Sequence, residues 1–267
     1  MVIVEKMIGI FGGSGFYNLL SNSEIVEIET AFGAPSSPVT VGKIGNRDVA
    51  FIARHGLQHE FPPHRIPFKA NILAFKELGV NQIIAPAAVG SLKKEIEPGH
   101  FVIPDQFVNF TTKRDDTFYE ERPVTHIGSS EPYCPHLRQL LIDSAAKMQL
   151  PVHDKGTVVV IEGPRFASKA ESNFYRNQGW DIINMTQYPE MMLARELEIC
   201  YANISVVTDY DTGIKDDPSI NSVTLDDVMK VFAENNQKVK NLLYEIIPSM
   251  PDKRTCICAR ALEGSRF

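Results

Sequence analysis

The chain has 267 residues, of which 43% are hydrophobic and 22% charged, and its formal net charge is −6 at pH 7. This length and composition are typical of a globular protein with one large domain or two small ones. The acidic balance argues against a general nucleic-acid surface but allows a local cationic pocket. No apolar run approaches the roughly 18 residues that cross a bilayer. Residues 1–8 are too short for a secretory signal and contain Glu5, so the chain is predicted to be cytoplasmic.

Short apolar runs of β type alternate with helical patterns, which predicts an α/β fold. Strands are predicted near 7–12, 38–43, 48–53, 81–87, 101–103, 156–161, 181–185 and 202–208. Helices are predicted near 67–78, 136–148, 168–178, 189–198 and 224–246. Because the first hundred residues contain hairpin-like neighbours, we expect a mixed central β-sheet flanked by helices rather than a purely parallel one.

Capping patterns mark two of the predicted helix starts. Ser168 with Glu171, and Thr224 with Asp227, have the spacing of capping boxes. The last helix carries an apolar stripe typical of a helix that packs on a sheet. We expect a single domain over residues 1–267, with a polar tail at 249–267 that is mobile or covers a neighbouring molecule.

The first predicted strand runs into Gly12-Gly13-Ser14-Gly15. Backbone N–H groups in such a loop can hold an anion, and the alternative is a plain tight turn. The loop is not a dinucleotide fingerprint because Asn18 stands where the third glycine belongs. It is not a nucleophile elbow, since Phe16 replaces the glycine that this motif needs.

A second polar cluster, Arg54 to His59, follows the strand at 48–53. Arginine offers a fork of donors that matches phosphate oxygens. His55 and His59, with His64 nearby, allow either a hydrogen-bonding pair on a binding loop or a zinc site. The first is favoured, because no glutamate follows His55 as a zinc-protease motif requires.

Two carboxylates, Asp209 and Asp211, stand two residues apart at the end of the strand at 202–208. On an extended chain they point to the same side. Neighbouring carboxylates in apolar surroundings do not both ionise easily, so one could stay protonated near pH 7 and act as a general acid. The alternative is a solvated acidic turn. Phe166 follows another β run and could stack on a flat ring or lie in the core.

The four cysteines are Cys134, Cys200, Cys256 and Cys258. Free thiols are expected in a mesophile's cytosol, and disulfides are a known exception in hyperthermophiles. The spacing Cys256-Ile-Cys258 is too short for the usual zinc half-site. If disulfides form, we expect at least one to tie the Cys256/Cys258 segment to the rest of the chain.

Six motifs in the same order make the chain resemble the trimeric-type purine nucleoside phosphorylases, and within them the branch that acts on 5′-methylthioadenosine. The resemblance extends from Ile8 to about Pro248. It rests on Gly12–Gly15, Ala53-Arg-His-Gly-Leu-Gln-His59, Ala87-Ala-Val-Gly-Ser91, Ile161-Glu-Gly-Pro-Arg-Phe166, Ile183-Asn-Met-Thr186 and Thr208-Asp-Tyr-Asp211.

The resemblance implies a pentosyltransferase of purine salvage. Phosphate attacks the anomeric carbon of methylthioadenosine and releases adenine and 5-methylthioribose 1-phosphate. It implies no metal or organic cofactor, with phosphate as co-substrate, and a homotrimer or a dimer of trimers. Phosphate binding is implied for Gly12, Ser14, Arg54, His55, Ala88 and Thr186. Nucleoside binding is implied for His59, Ala88, Val89, Gly90, His126, Phe166, Ile183, Asn184, Met185, Val228 and Met229, with His126 reaching into a neighbouring subunit's site.

Asp209 is the implied general acid at N7 of the purine, and Asp211 accepts from the 6-amino group. Two departures bear on this assignment. Ala87 and Ala167 stand where family members often have hydroxyl residues, which could broaden specificity. A phosphorylase of 6-oxo nucleosides or one of broad 6-amino specificity therefore stays open, as do a hydrolase and a catalytically idle nucleoside-binding protein.

Overall fold

The computed structural model describes residues 7–13, 16, 19–213 and 222–267. Within them the strands are β1 (Met7–Gly12), β2 (Ser21–Val26), β3 (Val39–Ile44), β4 (Arg47–Ala53), β5 (Val80–Ser91), β6 (Phe101–Val102), β7 (Gln106–Phe110), β8 (Val152–His153), β9 (Thr157–Ile161), β10 (Ile182–Asn184) and β11 (Cys200–Asp209). The α-helices are α1 (Phe68–Glu77), α2 (Pro135–Lys147), α3 (Lys169–Asn177), α4 (Gln187–Glu196) and α5 (Leu225–Ile246). Short 3₁₀ helices cover Pro63–Arg65, Ile247–Ser249 and Ile257–Arg260.

The strands form one mixed sheet, with the order β2-β3-β4-β1-β5-β10-β9-β7. From β5 a second branch leads through β11 and β6 to β8. The pairs β1–β4, β1–β5 and β5–β11 are parallel, whereas β5–β10 and β6–β11 are antiparallel. The predicted mixed α/β sheet is confirmed, and β5 is the strand at which its two branches separate.

The predicted helices and strands all occur, with ends shifted by a few residues. Three strands were missed. β2 has the polar sequence SNSEIV and is largely exposed, so it lacks the apolar alternation that marks a strand. β7 is half exposed, and β8 has only two residues. β5 continues to Ser91, beyond the predicted end at 87, because β10 and β11 both pair with its last residues.

Helix starts follow the predicted chemistry. The hydroxyl of Ser168 accepts from the backbone N–H of Glu171, and Thr224 accepts from that of Asp227. Each N3 carboxylate accepts in return from the cap residue's backbone N–H, so both capping boxes are complete.

Helix α5 closes one side of the sheet with its predicted apolar stripe. Val239, Leu242, Leu243 and Ile246 are each fully buried and belong to the same core cluster as Ile10 of β1. Leu225, in the first turn of the helix, is 64% exposed. The helix is therefore held by its C-terminal half.

Four aromatic side chains form a group beside α3, here called the aromatic group: Phe110, Phe174, Tyr175 and Trp180. The ring centroid of Phe110 lies 5.3 Å from the ring centroid of Tyr175 and 5.6 Å from that of Trp180. Tyr175 and Trp180 stack at 6.0 Å. Trp180 also packs against the small core cluster that contains Ala167 and Ile183.

The C-terminal segment 249–267 packs on the body of its own chain. The Pro251 carbonyl accepts from the side chain of Gln82 at 3.0 Å. Near the other end, Phe267 N–H donates to the Val124 carbonyl at 3.1 Å, and His126 N–H donates to Ser265 at 2.8 Å. Among the described residues, no helix is both long and apolar enough to cross a membrane.

We predict that Leu243→Ala lowers the free energy of unfolding by about 2–5 kcal/mol, because it leaves a cavity in the core beneath α5. Leu225→Ala is the matched control on the same helix, and its effect should stay within about 0.5 kcal/mol. Urea denaturation of both variants measures the difference. Equal effects would contradict the assignment of the buried face.

Candidate active site

The ends of β5, β10 and β11 meet at one place in the sheet. Gly90 of β5 lies opposite Asp209 in the parallel pair and opposite Ile183 in the antiparallel pair. A Cβ at Gly90 would stand 2.9 Å from Asp209 Oδ1 and 2.9 Å from Ile183 Cγ2. Only glycine lets the three strands approach this closely. The motifs around residues 88–90, 183–186 and 208–211, separate in sequence, therefore form one site.

Asn184 locks the turn between β10 and α4. Its amide donates to the Ala88 carbonyl at 2.9 Å, and its Oδ1 accepts from the backbone N–H groups of Thr186 and Gln187, each at 2.7 Å. This arrangement fixes Thr186 at the start of α4, next to β5. Asn184 and Thr186 are buried, so the loop is positioned by these bonds.

Asp209 is the last residue of β11, and its carboxyl group is held from both sides. Oδ1 accepts from the backbone N–H of Asp211, and Oδ2 is in contact with the Thr208 hydroxyl, both at 2.7 Å. Burial raises the pKa of Asp209 to about 6, although these two hydrogen bonds oppose the shift. The carboxyl group is therefore poised to hold or release a proton near neutral pH.

The Thr208 hydroxyl fits both protonation states of Asp209. It also lies 3.2 Å from the Val89 carbonyl, which can only accept a hydrogen bond. When Asp209 is protonated, its Oδ2–H can donate to Thr208, whose own hydrogen then goes to Val89. When Asp209 is ionised, Thr208 can turn its hydrogen to Oδ2.

Asp211 is buried, with 2% of its surface exposed, so the alternative of a solvated acidic turn is wrong. The expectation that both aspartates lie on an extended chain is also wrong. Asp211 has φ +55°, because the chain turns after β11 ends at Asp209. That turn brings the Asp211 N–H back onto the Asp209 carboxylate.

Around Asp211, three buried polar atoms have no hydrogen-bond partner of normal geometry among the described residues: Asp211 Oδ2, Ser172 Oγ and Arg176 Nε. Burial raises the pKa of Asp211, while the Ser172 hydroxyl and the Arg176 charge act in the opposite direction. Arg176 also donates to the Tyr210 carbonyl at 3.1 Å. An acceptor oxygen without a donor is thus presented beside Asp209, with a hydroxyl and a cation facing its carboxyl group.

Arg54 is buried and paired with Glu190 through two hydrogen bonds of 2.6 and 2.9 Å, and its Nη1 donates to the Pro86 carbonyl at 2.9 Å. Burial alone would lower the pKa of Arg54, but the charge and hydrogen bonds of Glu190, together with Tyr201, more than offset it, so the pKa is raised. Tyr201 donates to Glu190 at 2.7 Å. Within the described part of the chain, these contacts use three of the five N–H groups of Arg54, and two remain for a ligand.

His55 and His59 stack with ring centroids 4.5 Å apart. Burial lowers the pKa of His55 to about 4, and the charge of Arg54 adds to this, so the ring is neutral at pH 7. Its Nδ1 lies 2.9 Å from the Phe61 carbonyl, which assigns the hydrogen to Nδ1. The remaining Nε2 is then an acceptor and could bond the P–OH group of a phosphate monoanion or hydrogen phosphate.

The structure places the remaining predicted residues in different settings. Gly12 is buried at the end of β1, and its carbonyl accepts from Arg54 N–H at 2.9 Å. Ser14 lies outside the described residues. Met185 packs close to Gly163, where a Cβ would stand 2.7 Å from its sulfur. Phe166 is 38% exposed, which excludes the core alternative.

Val228 and Met229 lie in the first turns of α5, and Met229 is 44% exposed. This end of the helix reaches Asp211 through Val223 N–H, which donates to the Asp211 carbonyl at 2.7 Å. His126 is exposed and lies beside the C-terminal segment, with its ring 5.8 Å from that of Phe267.

Four residues of the candidate site have no role predicted from the sequence: Glu190, Thr208, Ser172 and Arg176. A buried arginine requires a carboxylate partner, but nothing in the spacing singles out Glu190, which is 136 residues away. Thr208 is predictable from its position next to Asp209, because a buried carboxyl group needs a hydrogen-bond partner. Among the described residues, three or more metal-binding side chains meet only at the four cysteines, so the histidines form no such group.

Comparison with known proteins identifies the family. The profile of the Phosphorylase superfamily matches residues 7–248. The chain belongs to the phosphorylase superfamily. The S-methyl-5′-thioadenosine phosphorylase of Pyrococcus abyssi is 51% identical over 256 residues, which cover 96% of this chain and 97% of the relative. That of Nitrosopumilus maritimus is 50% identical over 262 residues, covering 97% and 98%.

Solved structures agree with this assignment. The methylthioadenosine phosphorylase of Schistosoma mansoni in complex with adenine has a TM-score of 0.91 and 33% identity, covering 98% of this chain and 99% of that one. A methylthioadenosine phosphorylase from an antarctic soil metagenomic library has a TM-score of 0.90 and 36% identity, covering 97% and 92%. The fold and the family predicted from the ordered motifs of this phosphorylase are confirmed.

The raised pKa of Asp209 has a consequence for stability. A carboxyl group with a pKa near 6 in the fold and 3.8 as its ordinary value stabilises the fold below pH 3.8, and this contribution is lost as the pH rises through 6. Relative to Asp209→Asn, the wild type should therefore lose about 2–3 kcal/mol between pH 4 and pH 7. Urea denaturation across this range measures the difference. Asp143→Asn, on the exposed face of α2, is the control, and a flat difference for Asp209→Asn would contradict the shift.

Proposed function

We propose that this phosphorylase cleaves S-methyl-5′-thioadenosine with inorganic phosphate to adenine and 5-methylthioribose 1-phosphate. The family membership and the relatives at about 50% identity, all named for this reaction, support the activity. The observation that carries the chemistry is the pair Asp209 and Asp211. One carboxyl has a pKa near neutrality, and the other offers a buried acceptor oxygen beside it.

Asp209 is the proposed general acid. As phosphate oxygen bonds to C1′ of the ribosyl group, the C1′–N9 bond breaks and its electron pair passes to the purine. The proton of Asp209 moves to N7, so neutral adenine leaves rather than its anion. Such proton transfer contributes about 10²–10⁴-fold to rate. The N–H of Asp211 and the hydroxyl of Thr208 are already placed to bond the carboxylate that remains.

Phosphate is proposed to bind to Gly12, Arg54, His55, Ala88 and Thr186, and also to Ser14, which lies outside the described residues. Attack from the face of the sugar opposite the base inverts the configuration at C1′. The ribosyl group carries positive charge in the transition state, and the adjacent phosphate stabilises it. The reaction as proposed needs no metal or organic cofactor.

Selection of the base is proposed to depend on the direction of hydrogen bonds. Asp211 Oδ2 accepts and suits a 6-amino group, whereas a 6-oxo group would place a second acceptor against it. Ser172 and Arg176 are proposed to hold Asp211 in this role, since Ala167 offers no hydroxyl. Phe166 and Ile183 would contact the purine, while His59, Val228 and Met229 would surround the 5′-methylthio group.

The proposal also includes an oligomeric state and a cellular compartment. We propose a cytoplasmic homotrimer or dimer of trimers, in which His126 completes the 5′ pocket of a neighbouring subunit. The exposure of His126 and its place beside the docked C-terminal segment support this.

The activity is tested by chromatography of adenine released from methylthioadenosine with and without phosphate. We expect release that depends on phosphate, with 5-methylthioribose 1-phosphate as the second product. Asp209→Asn should lower kcat/KM by about 10²–10⁴-fold, because the leaving base is no longer protonated. Asp143→Asn is the matched control and should keep full activity. Adenine release without phosphate would indicate a hydrolase, and no release would overturn the proposal.

Base selection is tested by comparing methylthioadenosine, adenosine and inosine as substrates. Asp211→Asn replaces a carboxylate by an amide that can donate to a 6-oxo group. The ratio of kcat/KM for methylthioadenosine to that for inosine should fall by about 10-fold or more, the effect of one hydrogen bond of about 1.4 kcal/mol. Preference of the wild type for inosine would instead support the 6-oxo alternative. An unchanged ratio in Asp211→Asn would remove Asp211 from base recognition.

A further inference from the structure

The four cysteines, far apart in sequence, meet at one place in the core. Their Sγ atoms all lie within 4.8 Å of one another, and those of Cys200 and Cys256 are 3.2 Å apart. All four side chains are buried, in the cluster that also holds Leu137 and Met250. Here they are called the four-cysteine cluster.

Three separate pieces of the chain build the four-cysteine cluster. Cys200 begins β11, and Cys134 precedes α2, where its N–H donates to the Tyr201 carbonyl at 2.8 Å. Cys256 and Cys258 come from the C-terminal segment. Cys256 and Cys258 by themselves are spaced too closely for the usual zinc half-site. The fold supplies the other half from residues more than 50 positions away.

The separations suit a tetrahedral metal ion. Zn²⁺ binds thiolates at about 2.3 Å, which places sulfurs at the corners of a tetrahedron about 3.8 Å apart. Four mutually close sulfurs, all within 4.8 Å, need only small movements to reach this geometry, with the 3.2 Å pair of Cys200 and Cys256 moving slightly apart. A disulfide requires about 2.05 Å between one pair of sulfurs, and all four cysteines are free thiols in the structure.

We propose that the reduced four-cysteine cluster is a structural Zn²⁺ site that fastens the C-terminal segment to the body of the enzyme. A set of four sulfur ligands and no open position is typical of structural zinc sites. Binding releases four protons and leaves a ZnS₄ centre of charge −2. The N-terminus of α2 at Cys134 favours negative charge there, and Arg254, which donates to the Glu198 carbonyl, adds a cation two residues from Cys256.

None of the proposed zinc ligands belongs to the candidate active site, but the C-terminal segment that carries two of them contacts the chain at His126. The same C-terminal segment continues from Cys258 to Ser265 and Phe267, which bond the backbone at His126 and Val124. Loss of zinc would release this segment at Cys256 and Cys258. The binding test below does not depend on the nucleoside reaction.

The test uses the full chain, reduced and kept without oxygen, and incubated with one equivalent of zinc before gel filtration. Elemental analysis should find about one zinc per chain, and cobalt in place of zinc should give thiolate-to-cobalt charge-transfer absorption. Zinc should raise Tm by about 5–10 °C. The double variant Cys256→Ser/Cys258→Ser should bind less than a tenth as much, whereas Ser249→Ala, in the same segment, should bind as the wild type does.

Three results would overturn the proposal. The first is a reduced wild type that binds no zinc, and the second is a double variant that binds as much as the wild type. The third is a chain isolated without oxygen that carries no zinc and is lighter by two or four hydrogens, because disulfides would then occupy the cluster. If the double variant fails to fold, the wild-type zinc content and the cobalt spectrum still decide the question.

Discussion

Strands β5 and β11 run parallel and in contact from Gln82 opposite Cys200 to Gly90 opposite Asp209. This pairing places the residues at the end of β5 beside those at the end of β11. The register shifts between Val207 and Asp209, just where the strand must turn Asp209 toward its neighbours. Glycine at 90 makes the approach sterically allowed, so the position of Asp209, the proposed general acid, depends on the absence of a side chain at the paired residue.

The net charges at Arg54 and Asp209 are both reduced by their surroundings. Arg54 is neutralised by Glu190, and Asp209 is largely protonated at mildly acidic pH because burial disfavours its charge. At the proposed phosphate position, an anion would therefore meet a cation that already has a partner. Its binding would rely on the remaining N–H groups and on backbone donors more than on net charge. The neutral His55 fits the same pattern.

Local patterns in the sequence predicted the elements and the motifs at 88–90, 183–186 and 208–211, which the fold brings together although β10 runs antiparallel to β5. These patterns did not predict how the site residues are paired. The Arg54–Glu190 pair and the meeting of four cysteines depend on contacts between distant segments, for which spacing carries no signal. The turn at Asp211 was missed because an Asp-x-Asp pattern looks the same in a strand and just beyond its end.

The aromatic group contains Trp180, the intrinsic fluorophore of the protein. Trp180 is the only tryptophan of the chain, so all indole emission originates beside α3. Its ring stacks with that of Tyr175 and packs on the core cluster that includes Ile183, the residue opposite Gly90. Light absorbed there is re-emitted within a few side chains of the proposed purine position. A ligand at that position would therefore lie close enough to change the fluorescence of the unlabelled, unmutated enzyme.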